Sequence, residues 1–183
     1  MLKSPVILES TVLAKTRIFT IEELRVQFPN KKIQPFETIK PNNFGAVMII
    51  PILDADTFFI IREYAAGSNH YFLGFPKGAI NKGENLLETA NRELMEEIGY
   101  GAKKLTHLRQ MSLSPAYFNA TMQLVLAEDL YPKKLMGDEP EPIVVIPWKF
   151  SEIDALLQHP EFHESRSIAA LLLLEKMQSR RIK

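Results

Sequence analysis

Three glutamates in the middle of the chain have the type and spacing to bind a metal ion. Glu93, Glu96 and Glu97 fall within five consecutive positions, and on a helix with about 3.6 residues per turn they share one arc of the surface. Like charges three and four residues apart repel, so the cluster requires a compensating cation. Mg²⁺ takes oxygen ligands from a few carboxylates, together with water and substrate phosphates. The three glutamates therefore indicate either a metal site or a solvated acidic helix face.

The spacing of the surrounding residues favours the metal site. Gly78 is followed by five residues, Glu84, seven further residues and the run RELMEEIGY at 92–100. This arrangement resembles the signature of the Nudix hydrolases, G-x5-E-x7-R-E-U-x-E-E-x-G-U, in which U is a bulky apolar residue. Leu94 and Tyr100 occupy the two U positions. Tyrosine is a mild departure from the usual aliphatic residue and affects packing more than chemistry.

The resemblance implies hydrolysis of a nucleoside diphosphate linked to another group, with Mg²⁺ or Mn²⁺ as cofactor. The implied metal site combines the three helix carboxylates with the loop before them: Lys77, Gly78, Glu93, Glu96 and Glu97. Lys77 would contribute its backbone carbonyl, and Gly78 would allow the tight backbone path. Glu96, Glu97 and Arg92 are the implied catalytic residues of the helix, with Arg92 and Glu84 as an orienting pair. Bound metal would lower the pKa of a water molecule that attacks phosphorus.

The strand before this segment gives the first indication of the substrate. FIIREYAAG at 59–67 resembles a strand of ADP-ribose pyrophosphatases that contains Arg and Glu. The resemblance implies that Arg62 contacts a substrate phosphate and that Glu63 helps to hold the site. A surface ion pair at a strand end is the alternative. Phe72 stands where those pyrophosphatases often have an acidic residue, which weakens a strict ADP-ribose assignment.

The segment SLSPAYFNATM at 112–122 combines features of two substrate classes. Pro115 lies fifteen residues beyond Tyr100, where a proline resembles the ADP-ribose-type members. Tyr117 resembles a tyrosine of the diadenosine oligophosphate hydrolases. Proline stiffens a loop, and tyrosine offers a ring for an adenine or sugar face. We expect both residues to bind substrate in a loop over the diphosphate; a proline turn with a half-buried tyrosine is the alternative.

The loop MGDEPEP at 136–142 supplies candidates for a general base. Glu139 and Glu141 are interleaved with prolines, which restrict the backbone. Related pyrophosphatases draw a mobile catalytic glutamate from such a loop. Glu139 is therefore the first candidate for the base and Glu141 the second.

The elements that must position these residues are strands on either side of one central helix. Strands are predicted at 6–12, 17–28, 32–39, 44–53, 58–65, 105–113, 122–129 and 143–149. The central helix is predicted at 85–98, with Leu87, Leu94 and Ile98 packed inward. Two further helices are predicted at the end of the chain, the first of them capped by Ser151. This order favours a mixed α/β protein, and the resemblance implies an α/β/α sandwich with a mixed sheet.

The first forty residues are expected to form a separate β arm, with the Nudix domain at 41–183. The arm is rich in β-branched and apolar residues that a small sandwich would not bury alone. The chain as a whole resembles bacterial Nudix hydrolases of ADP-linked compounds. This resemblance implies ADP-ribose, NADH and short diadenosine polyphosphates as substrates, AMP as a product, and a homodimer whose arm helps to close the partner's adenosine pocket.

The overall composition disfavours other classes of partner. Lysine plus arginine equal aspartate plus glutamate at 22 each, so no net field favours nucleic acid or an anionic membrane. The chain has no cysteine and no long apolar segment, so we expect a cytoplasmic protein.

Two alternative functions stay open within the family. A non-catalytic module that senses ADP-ribose or NAD usually loses carboxylates that this chain keeps. An RNA 5′-end pyrophosphohydrolase would need a basic stripe, whereas the lysine pairs here are scattered along the chain.

Overall fold

A computed structural model describes the backbone of residues 3–181 and the side chains of residues 3–178. The strands are β1 Val6–Lys15, β2 Phe19–Gln27, β3 Ile33–Pro41, β4 Ala46–Pro51, β5 Thr57–Ala65, β6 His70–Gly74, β7 Lys77–Ala79, β8 Tyr100–Ser114, β9 Phe118–Pro132 and β10 Val144–Lys149. The helices are α1 Leu86–Glu93, which continues into a π-helical turn Leu94–Ile98, α2 Ile153–Leu157, preceded by a 3₁₀ turn Phe150–Glu152, and α3 Ser165–Arg181.

The strands form two sheets. One has the order β1-β2-β3-β9-β4-β7, with β8 also paired to β9, and the other has the order β10-β5-β6. β4 runs parallel to β9 and antiparallel to β7. The larger sheet is therefore mixed, as expected from the sequence.

Two hydrophobic cores on opposite sides of the central strands make the fold a three-layer sandwich. On β4, Val47 and Ile49 belong to one core, whereas Met48 and Ile50 belong to the other. The first core is covered by α1 and the second by α2 and α3. Burial on both faces explains why the central strands are continuous apolar runs. The predicted α/β/α sandwich is confirmed.

The arm predicted at 1–40 consists of an antiparallel meander. β1 pairs with β2, and β2 pairs with β3, which confirms the three predicted strands. Every residue of β1 is exposed. The arm joins the rest of the sheet where Ile39 of β3 faces Phe118 of β9. Residues 1 and 2 of the arm, and 182 and 183 of the predicted Nudix domain, lie outside the described residues.

Two local expectations about the helices are wrong. Ser151 does not cap α2, because it lies within the 3₁₀ turn that precedes the helix, and the N-cap residue is Glu152, which makes no side-chain capping hydrogen bond. Leu87 is exposed, whereas Leu94 and Ile98 are buried as expected. The buried stripe also includes Ala90, and the π turn has an i→i+5 spacing that a uniform α-helical repeat does not anticipate.

Within residues 3–181, none of the helices combines the length and apolar character needed to cross a membrane.

Candidate functional site

The loop and helix at 77–99 have defined ends that hold their side chains in place. Asn85 caps α1 through a capping box, because its side chain accepts from the amide of Glu88 while the Glu88 side chain accepts from the Asn85 amide. The π turn ends at Gly99, whose φ of 77° is in the left-handed region. Both ends of the segment are thus specified by local sequence.

Gly78 lets the backbone of β7 come into direct contact with the helix carboxylates. A Cβ atom at this position would lie 1.9 Å from the carboxyl carbon of Glu93. A side chain here would force the Glu93 carboxylate to move, so glycine lets that carboxylate lie directly against the backbone.

Arg92 is the centre of an ion-pair network on the helix. Its Nε and Nη2 donate to the two carboxylate oxygens of Glu84 at 2.8 and 3.1 Å. Its Nη1 donates to Glu96 at 2.6 Å, and Nη2 also lies 2.8 Å from Glu93. The expected pair of Arg92 with Glu84 is present. These hydrogen bonds hold the pKa of Glu84 well below its usual range, at about 2.

Glu93 and Glu97 are the buried members of the carboxylate cluster, with 7% and 5% of their surfaces exposed. Burial raises the pKa of Glu93 to about 7, and the nearby charge of Arg92 only partly opposes this shift. Burial also raises the pKa of Glu97, which accepts a hydrogen bond from the Lys77 amide at 3.2 Å. The ammonium of Lys77 contacts Glu63, and burial lowers the pKa of Lys77.

A cleft of ≈ 670 Å³ brings most of the sequence-predicted site residues together. It is lined by Glu63, Lys77, Gly78, Ala79, Asn81, Arg92, Glu93, Glu96, Glu97, Met136, Gly137, Asp138 and Glu139. The 136–139 loop thus faces the helix, and Glu139 is folded back over Gly137, where a Cβ atom would lie 2.0 Å from its Oε2. Glu139 therefore lines the same cleft as the carboxylate cluster, and its catalytic role stays a prediction.

A second, smaller pocket of ≈ 260 Å³ adjoins the carboxylate cleft and shares Glu63 and Glu139 with it. Arg62 lies here, but its Nε and Nη2 are both hydrogen-bonded to Glu161 at 2.8 Å. The Arg62 guanidinium lies over the Tyr71 ring, 4.3 Å from its centre. The Tyr71 hydroxyl donates to Glu141 at 2.6 Å. Arg62 and Glu141 therefore belong to this pocket rather than to the carboxylate cleft.

Pro115 and Tyr117 do not line either of these cavities. They lie at the turn between β8 and β9, and they line a groove with arm residues that include Leu24 and Lys40. Tyr117 is 54% exposed. Within one chain, the structure does not place these two residues over the carboxylate cleft, and their contact with substrate stays a prediction.

Sequence reasoning did not identify Tyr71, which lines the smaller pocket, or Glu161, which pairs with Arg62. Glu161 is separated from Arg62 by 99 residues, and no spacing rule connects such distant positions. Tyr71 is the second residue of β6, after the 66–69 turn, and faces Tyr64 across the β5–β6 pair. Recognising the two strands as a hairpin could have brought the two tyrosines together.

Comparison with known proteins gives the family. The NUDIX domain matches residues 43–172. The chain belongs to the Nudix family. As a Nudix hydrolase it is a pyrophosphohydrolase, and members of the family generally use divalent metal ions.

Individual Nudix relatives match over nearly the whole length. The chain is 45% identical to ADP compounds hydrolase NudE of Escherichia coli (strain K12), over 96% of this chain and 94% of that protein. It is 29% identical to ADP-ribose pyrophosphatase of Bacillus subtilis (strain 168), over 92% of this chain and 94% of that protein. A crystal structure of an ADP compounds hydrolase superposes with a TM-score of 0.91 at 43% identity, covering 99% of this chain and 97% of that one. The resemblance to hydrolases of ADP compounds is confirmed.

The donor set of the Nudix helix fits a divalent cation. Within the described residues, no three acidic or histidine side chains converge on one point in their present rotamers. Glu93 and Glu96 are instead paired with Arg92, and Glu97 accepts from the Lys77 amide. The three helix glutamates supply only oxygen donors, and Gly78 leaves space for no side chain between the backbone and Glu93. Hard divalent cations prefer such oxygen ligands.

Proposed function

We propose that this chain hydrolyses the diphosphate linkage of ADP-containing compounds, with Mg²⁺ or Mn²⁺ held by the Nudix helix. The observation that carries the proposal is the cleft of ≈ 670 Å³, in which the helix carboxylates face Glu63 and Glu139. The names of the relatives, ADP compounds hydrolase and ADP-ribose pyrophosphatase, support an ADP moiety in the substrate. ADP-ribose, NADH and diadenosine oligophosphates are the proposed substrates.

Glu93, Glu96 and Glu97 would hold the metal, together with the Lys77 carbonyl. Bound metal would supply charge withdrawal from the diphosphate oxygens and a lower pKa for water. Arg92 would keep Glu96 oriented and neutralise part of the carboxylate charge, while Glu84 fixes the position of the guanidinium. The role proposed for Gly78 is to admit the backbone close to Glu93.

Glu139 is the proposed general base. The attacking water would lose a proton to its carboxylate while the water oxygen bonds to one phosphorus and the bridging phosphorus–oxygen bond breaks. For ADP-ribose, the products are AMP and ribose 5-phosphate. Because Glu139 lies in the 136–142 loop opposite the helix, it could approach the water without being a metal ligand.

A homodimer is the proposed assembly, and the cytoplasm the proposed location. The exposed apolar residues of β1 support the dimer: Val6, Ile7, Leu8, Val12 and Leu13 are each at least half exposed. Such a strip is unusual for a protein that remains a monomer. An arm that crosses to a second copy would cover these residues and could bring Pro115 and Tyr117 of one copy near the substrate of the other.

A hydrolysis panel tests the proposed function. ADP-ribose, NADH, diadenosine triphosphate, UDP-glucose and a 5′-triphosphate RNA would be incubated with Mg²⁺ or Mn²⁺, and the products would be separated by chromatography. We expect AMP from the three adenine compounds and slower cleavage of UDP-glucose. Binding of ADP-ribose without hydrolysis under either metal would favour a sensing module, and preferential cleavage of the RNA would favour 5′-end processing.

A further inference from the structure

The pocket next to the carboxylate cleft has the size and position to take one end of the substrate. Because it shares Glu63 and Glu139 with the cleft, a molecule whose diphosphate lies in the cleft presents an end group at this pocket. Its volume of ≈ 260 Å³ is below the range of about 300 to 1,000 Å³ that is typical for whole ligands. The pocket therefore suits one group and not an entire dinucleotide.

One wall of the pocket is a fixed aromatic surface. Arg62 lies 4.3 Å from the centre of the Tyr71 ring, and its bidentate pair with Glu161 holds the guanidinium plane in place. Tyr64 packs against Tyr71 with the ring centres 5.6 Å apart. Since Glu161 already matches the charge of Arg62, this wall offers a flat π surface more than a phosphate site. A planar heterocycle fits such a wall better than a sugar does.

Glu141 provides a polar edge to the same pocket. Its Oε1 accepts the Tyr71 hydroxyl at 2.6 Å, and among residues 3–178 no other hydrogen bond reaches this carboxylate, which leaves Oε2 available. An ionised carboxylate only accepts hydrogen bonds. It therefore favours a ring that carries an amino group and disfavours a ring that presents only acceptors at the same edge.

We propose that Tyr71 and Glu141 bind the adenine base, with Oε2 of Glu141 accepting a hydrogen bond from the 6-amino group. This inference rests on the proposed function. It assigns Glu141 to recognition of the adenine ring and leaves Glu139 as the candidate for the general base. Tyr71 has two roles in this arrangement, since the ring face that Arg62 does not cover stacks on the base while its hydroxyl holds Glu141.

The test compares ADP-ribose with its 6-deamino analogue, in which hydrogen replaces the amino group and the ring edge has no donor. For the wild-type protein we expect kcat/KM to be about tenfold lower for the analogue, because the carboxylate then faces an acceptor. In Glu141→Gln the side-chain amide can donate to the ring nitrogen N1, so the two values should come within about threefold of each other.

Two matched variants control for general damage. Tyr71→Phe keeps the aromatic ring but removes the hydroxyl that holds Glu141, and it should give an intermediate ratio. Glu152→Gln removes the same charge at an exposed position that is not part of the pocket lining, and it should retain the wild-type ratio.

The other outcomes separate this inference from the proposed function. If Glu141→Gln lowers kcat for both compounds and leaves their ratio unchanged, Glu141 acts in proton transfer and the inference is overturned. Equal kcat/KM for the two compounds in the wild-type protein would also overturn it, although the proposed function would stand. Hydrolysis of neither compound would reject both.

Discussion

The segment at 78–100 and the hairpin tip at 115–117 differ in how well their sequence positions indicate their place in the site. In the first segment, a short loop and one helix carry Gly78, Glu93 and Glu97 to the same cleft. The hairpin tip follows β8, which has 15 residues, and a strand of that length extends over up to about 50 Å. A residue near the Nudix segment in sequence is thereby carried to another surface. Motif spacing predicts a site only where the intervening backbone is short and regular.

The largest effect that would test this comparison is expected from Glu97→Gln. The change removes a carboxylate charge but preserves the side-chain volume at a residue that is only 5% exposed. We expect kcat to fall by about 100-fold or more, since metal-assisted water activation depends on that charge. Turnover of ADP-ribose with Mg²⁺ measures the effect, and circular dichroism checks the fold. Wild-type turnover in a folded variant would contradict the role of the helix.

Gly78→Ala should have the next largest effect. Its Cβ would lie 1.9 Å from the carboxyl carbon of Glu93, so that carboxylate must move. We expect about a 10- to 100-fold loss of metal affinity, as is usual when the support of a ligand is disturbed, measured by titration with Mn²⁺. Gly67→Ala is the matched control, because no atom lies within 4 Å of its Cβ position. Equal affinities for the two variants would show that the close approach is not required.

Removal of residues 1–40 tests whether the hairpin tip participates through a second copy. The shortened chain should be monomeric in sedimentation experiments, with KM for ADP-ribose raised by about tenfold if the arm closes the partner's pocket. Val12→Lys provides a milder test, because it places a charge on the exposed face of β1 without shortening the chain. A variant that is monomeric and keeps the wild-type KM would exclude a role for the dimer in substrate binding.

The parts of the molecule that could be predicted from sequence share short-range determinants. The apolar runs at β4 and β5 predicted buried strands because both faces of each strand pack into a core. β7, with three residues that include Gly78, is too short to produce a pattern. The pair between Arg62 and Glu161 bridges 99 residues, so only the tertiary fold reveals that Arg62 is already engaged. The same limit applies to Glu141 in the 136–142 loop, whose partner Tyr71 lies on β6, 70 positions away.

Tyr71→Ala and Tyr117→Ala form a direct comparison between the pocket and the hairpin tip. Both changes truncate a tyrosine with a substantial exposed fraction, which is 37% for Tyr71 and 54% for Tyr117. Loss of stacking with a base costs about 1 to 3 kcal/mol, so Tyr71→Ala should raise KM for ADP-ribose by at least about fivefold with little change in kcat. Tyr117→Ala should raise KM by less than Tyr71→Ala does, because Tyr117 lies outside both cavities of its own chain and would reach substrate only through a second copy. The reverse order would place the base at the hairpin tip.

The smallest effect concerns the stability of the metal-free protein as a function of pH. The pKa of Glu93 is raised from 4.5 to about 7, so between these values the folded state binds more protons than the unfolded state. The free energy of unfolding should therefore decrease as pH rises through this window, by an amount on the order of 1 to 3 kcal/mol. Urea denaturation in EDTA at intervals from pH 5 to 8 measures this slope.

Two controls identify the group responsible. Glu93→Gln should reduce the dependence of the unfolding free energy on pH. Saturating Mg²⁺ should restore stability at the upper end of the pH range, because the cation replaces the proton as the partner of the buried carboxylate. An unchanged slope in Glu93→Gln would mean that the carboxylate does not retain its proton in the folded state, and that Arg92 alone is enough to neutralise it.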